Sequence, residues 1–138
     1  MRPRLLSAAL VALGAVVAML AMRTAPVSAH HSFAAEFDAA RPITLKGVVT
    51  RIDWTNPHVW FYLNVKDEGG TARWALEMGA PHQLQQRGWL RDTMKIGDEV
   101  TVAGSLARDG SKRANARTVT TADGKTLGAA SSGDRPRQ

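Results

Sequence analysis

The chain predicts an all-β fold, a small closed barrel of five strands with one short helix between the third and fourth. Three observations carry this. From Val59 to Lys66, apolar Val59, Phe61, Leu63 and Val65 alternate with Trp60, Tyr62, Asn64 and Lys66, the period of two of a half-buried strand. Shorter alternating segments follow, separated by polar turns that contain glycine. A single stretch, from Pro81 to Gly88, is framed as a helix, with proline near its start and glycine after its last turn.

The chain of 138 residues opens with Met1-Arg2-Pro3-Arg4, a positive segment, and an almost unbroken apolar run from Leu5 to Met22. Small residues then lead to Ala29, with Val27 and Ala29 at the two positions a signal peptidase reads. Residues 1–29 therefore read as a signal peptide cleaved after Ala29, leaving His30 first in a periplasmic protein. The alternative is a retained anchor, since a run of about 18 apolar residues just spans a bilayer. Alanine and glycine dilute the run, which favours cleavage and no stable membrane insertion afterwards. No cysteine follows, which excludes a lipoprotein, disulfides, thiolate metal sites and thiol catalysis. Three of the 18 basic residues, Arg2, Arg4 and Arg23, lie in the leader, which holds no acid. The remainder carries 15 basic against 12 acidic residues, a net charge of +3, too mild for a nucleic-acid partner.

Residues 30–42 form an N-terminal arm. Phe33 and Phe37 stand four apart, so one helical turn sets them on one face, where they cap the barrel. Asp38 to Pro42 reads as a turn. The first strand runs from Ile43 to Trp54, with Ile43 and Leu45 in one phase and Val48, Ile52 and Trp54 in the other. The phase switch falls at Gly47, where a bulge or a coiling bend is least costly. Asn56-Pro57 breaks the chain before the aromatic strand that starts at His58. Asp67-Glu68-Gly69-Gly70 is a hairpin turn, and Thr71 to Met78 the third strand, with Trp74, Leu76 and Met78 on one face and Arg73, Ala75 and Glu77 on the other. Leu84, Trp89 and Leu90 anchor the helix region. Glu99 to Leu106 and Ala116 to Thr121 supply the last two strands around a basic loop, Arg108 to Arg113, that reads as a solvated tip. The barrel domain spans 43–127, and residues 128–138 have too little apolar material to fold, so they read as a disordered tail. Three strands, a helix and two strands, with a bent first strand, form an order that resembles the oligonucleotide/oligosaccharide-binding barrel.

Two histidine motifs stand out, His30-His31-Ser32-Phe33 and Asn56-Pro57-His58, together with Trp74-Ala75-Leu76-Glu77-Met78. On these the chain resembles an exported bacterial family of unknown function (domain of unknown function 6152), over His30 to about Leu127. The resemblance implies compartment and fold and carries no activity.

If cleavage follows Ala29, His30 offers an α-amine and an imidazole that chelate one metal ion, with His31 or His58 adding a further imidazole. A nitrogen-only donor set suits Cu(II), ahead of Zn(II) or Ni(II). The bland reading keeps His30 and His31 in a solvated arm and His58 bonded within its turn; His82 reads as an exposed polar residue. The chain has no phosphate loop, no Gly-x-Ser-x-Gly elbow and no His-Glu-x-x-His pair, and Asp53 and Glu77 read as isolated outward carboxylates. The sequence thus points away from catalysis and leaves two classes: a Cu(II)-binding periplasmic protein, or a non-catalytic module that binds a peptide, glycan or partner protein.

Overall fold

The structure is a computed structural model and describes residues 33–131. The leader, His30 and His31 lie outside the described residues, as do residues 132–138. All described residues belong to the second of two units into which the chain divides, His31–Gln138.

The fold is all-β. A four-residue helical turn α1 (Phe33–Glu36) leads into β1 (Phe37–Asp53), β2 (Trp60–Asp67) and β3 (Gly70–Glu77). Then come α2 (Pro81–Gln86), β4 (Glu99–Ala107), β5 (Arg113–Thr120) and a short β6 (Thr126–Gly128). The strands hydrogen-bond in the order β3-β2-β1-β4-β5-β6, and β3 also pairs with β5, so a ring of hydrogen bonds runs through the first five. All pairings are antiparallel except β3 with β5, which is parallel over Ala75–Glu77 against Arg113–Asn115. Among the described residues no helix is long and apolar enough to cross a membrane.

The core follows from the alternation. Phe61, Leu63 and Val65 of β2 meet Leu76 of β3, Val100 and Val102 of β4, and Ala114, Ala116 and Val119 of β5, all buried. Leu84 of α2 and Trp89 close one side of this cluster, and the Trp89 Nε1–H donates to Gly128 O at 2.9 Å. The helix and all five expected strands are present.

Several local expectations are corrected. The first strand starts at Phe37, and the turn expected at Asp38 to Pro42 is a shift of register inside it, against β4. Gly47 is no bulge: the shift against β2 falls between Val49 and Arg51. Gly47 instead lies where a side chain cannot fit, since a Cβ would stand 2.6 Å from the backbone oxygen of Asn64. Leu90 does not anchor the helix region and is 66% exposed, because the chain turns outward there, with Thr93 N–H donating to Leu90 O. The chain also stays folded past residue 127. Gly128 pairs with Thr118, Ala129 N–H donates to Arg117 O, and Ala129 and Ser131 are buried. Small residues suffice there, since this segment lies close against Gly79, where a Cβ would stand 3.0 Å from Ala130 O.

Candidate functional site at the Asn56-Pro57-His58 turn

β1 and β2 are joined by Trp54 to Val59, with Asn56-Pro57 in the cis form. The hairpin register sets Trp60 opposite Glu77, and the ladder continues past both strand ends, with Val59 N–H donating to Gly79 O and Met78 N–H to Val59 O. Side chains alternate along a strand, so His58, Trp60 and Glu77 emerge on the same side of the sheet, away from buried Val59 and Phe61. There His58 Nδ1 meets Glu77 Oε1 at 2.5 Å, the histidine side chain 28% and the carboxylate 8% exposed. This corrects the reading of Glu77 as an isolated outward carboxylate. Its phase is outward from the core, yet it is buried and partnered.

Burial pushes the Glu77 carboxyl above its usual range; the charge and hydrogen bond of His58 pull against that shift. Glu36 adds to the rise, and Arg113 opposes it, so both lie within electrostatic reach. Arg113 is the hub on this side. Its Nη2 bonds Glu36 Oε2 at 2.7 Å, its Nη1 stands 3.8 Å from Asp109 Oδ2, and its guanidinium packs over the rings of Trp60 and Phe37. Arg108 joins it in fastening α1, its Nε donating to Ala34 O at 2.8 Å and its backbone N–H to Glu36 O at 2.9 Å. The basic loop is therefore a clamp on α1, not only a solvated tip. Phe33 and Phe37 lie 5.8 Å apart between centroids, as their spacing implied, and Phe37 is buried.

Behind Glu77, the register of β3 with β5 sets Asn115 beside it. Asn115 is fully buried; its Nδ2 donates to Ser131 Oγ at 3.1 Å, and its Oδ1 has no partner among the described residues.

Of the three metal-ligand candidates, His30 and His31 lie outside the described residues, so His58 alone has described geometry. The described residues contain no group of three histidine, cysteine, aspartate or glutamate side chains that could hold a metal ion. His82 is exposed at the start of α2, as expected. The His58–Glu77 pair can orient an imidazole: a carboxylate that accepts from Nδ1–H holds the ring and leaves the Nε2 lone pair available as an acceptor. Glu77 is the residue that sequence reading missed. The hairpin turn carried the signal, since pairing Asp67 with Gly70 and counting outward brings Trp60 opposite Glu77.

Fold and site together define a small all-β domain with a carboxylate–histidine pair at a strand end. The chain belongs to the family of unknown function DUF6152, whose model matches residues 16–116. No curated protein matches it.

Proposed function

We propose that the protein is a small periplasmic β-barrel of the oligonucleotide/oligosaccharide-binding type that binds Cu(II) through the His30 α-amine and imidazole, helped by His31 or His58. The observation that carries this reading is the bond from His58 Nδ1 to buried Glu77. Metal-ligating histidines commonly give their second ring nitrogen to a carboxylate, which fixes the tautomer and makes the free nitrogen more basic. A histidine that served only to hold its turn would need no buried carboxylate, whose desolvation works against folding. Strand order supports the barrel type, with the helix between β3 and β4 and the parallel β3–β5 closure. The leader with its site after Ala29 supports export and a free amine on His30.

Titration of the processed protein with Cu(II), followed by native mass and tryptophan emission, tests the reading. One ion should bind saturably and quench Trp54 and Trp60, which flank the His58 turn, with affinity falling as pH drops through about 6 to 8, the titration range of imidazole and α-amine. Adding one alanine before His30 should weaken binding, because it separates the amine from its imidazole. Equal affinity with and without that alanine removes the amino terminus as a ligand. Unchanged affinity in His58→Ala removes His58.

A further inference from the structure

Among the described residues, β3 is paired along its whole length on one side only. Against β2 it bonds from Gly70 to Glu77, but against β5 only from Ala75 to Glu77. On the β5 side Ala75 N–H donates to Lys112 O at 3.0 Å, the last described bond before the strand edge opens. Backbone groups alternate in direction along a strand, so the N–H and C=O of Arg73 and Thr71 point the same way as those of Ala75. Among the described residues they have no partner, and both residues are exposed.

The side chains at this edge are cationic over aromatic rings. Arg73 lies over the Tyr62 ring at 4.8 Å and Lys112 Nζ over the Trp74 ring at 5.9 Å. Neither has a carboxylate partner among the described residues, whereas Arg51, on the other side of Tyr62, is held by Asp53 at 2.8 Å. Arg73 and Trp74 are neighbours in a strand, so the edge is cationic towards the outer face and aromatic towards the other.

We propose that the open half of β3 takes an extended acidic peptide by strand addition, acidic residues alternating with apolar ones. The backbone of the added strand would bond the N–H and C=O of Thr71 and Arg73. Its acidic side chains would meet Arg73, and its apolar ones would lie beside Trp74 and Ala72 under Lys112. Among the peptide, glycan and protein ligands open to a module of this kind, an alternating row of strand donors and acceptors fits a peptide. A second copy fits poorly, since self-pairing of this edge would set Arg73 and Lys112 against the same two cations. The proposal is independent of Cu(II).

The probe is a fluorescein-labelled Glu-Val-Glu-Val-Glu-Val peptide, followed by polarisation with the intact protein. It should bind saturably and more weakly as salt rises. N-methylation of its alternate amides, in either phase, leaves the protein untouched; in the phase that faces the edge it should cost at least about tenfold in affinity, as should Arg73→Glu, the weight of a hydrogen bond or two, or of a reversed charge. Equal affinity of both methylated probes would show that charge alone holds the peptide and would overturn strand addition. Absence of saturable binding up to about 1 mM, the weak end of specific recognition, would also overturn the proposal. So would a protein mass that grows with concentration in wild type and not in Arg73→Glu, because a second copy would then own the edge.

Discussion

His58→Ala tests the carboxylate–histidine pair through stability, with no ligand needed. The substitution leaves Glu77, whose side chain is 8% exposed, without the imidazole that accounts for two of the influences holding its pKa down. Burial, the largest influence, then acts with less opposition, and the carboxyl rises further from its usual 4.5. A group whose folded pKa lies above its unfolded value holds its proton more tightly when folded. It therefore favours folding at acid pH, and that contribution is lost as pH rises through the folded pKa. Raising the pKa further moves the loss to higher pH and deepens it. The cost of His58→Ala should accordingly be small at pH 4 and full at pH 7. Breaking a fully buried pair costs about 3–5 kcal/mol; with the histidine 28% exposed, water can reach the site, and about 2 kcal/mol is the expectation at pH 7. At a urea m-value of about 1–1.5 kcal/mol/M for a domain of this size, the midpoint falls by roughly 1.5 M. Glu77→Gln on the same background removes the buried charge and should recover about half of the loss. Urea unfolding at pH 4 and pH 7 of wild type, both single variants and the double variant is the assay. An equal loss at both pH values, or no recovery by glutamine, would refute the argument that Glu77 is a buried, partnered carboxylate.

Three further outcomes are expected. Gly104→Ala should be severely destabilising, by about 3 kcal/mol or more, because a Cβ there would stand 2.1 Å from the backbone oxygen of Asn115 and must push β5 off β4, whereas Gly110→Ala, with nothing among the described residues within 4 Å but φ of +76°, should cost only about 1 kcal/mol by thermal unfolding. Leu127→Ala should cost about 2–3 kcal/mol and shift Trp89 emission to the red, since Leu127 is in the core and the next residue accepts the Trp89 indole N–H; an unchanged spectrum and midpoint would mean β6 is not part of the folded unit. Intact mass of the protein exported by a bacterial host should correspond to a chain that begins at His30, and a mass retaining residues 1–29 would exclude the amino-terminal chelate.

The sequence alone determined the class of fold and most of its elements. Period-two alternation marked β2 and β3, glycine turns separated the strands, and Pro81 with Gly88 framed α2, because each of these is a local preference of a few neighbouring residues. It also singled out the His58 turn, through the Asn56-Pro57 break and the aromatic strand after it. What tertiary structure decided is what happens on the outward phase. Alternation assigns a side chain to one face of a strand and is silent on whether another segment covers that face. Glu77 is buried although it faces away from the core, and it lies where distant parts of the chain converge: β5 pairs beside it, Arg113 links α1 to Trp60, and residues 129–131 pack on Gly79 and Asn115. The bulge of β1 was misplaced for the same reason. Gly47 is glycine because the backbone of Asn64 in neighbouring β2 comes too close for a Cβ, and the register shift came three residues later, just past Val49, where the bonds on the β4 side end. Local propensity selects strands; only the closure of the ring decides which of their outward residues are removed from water.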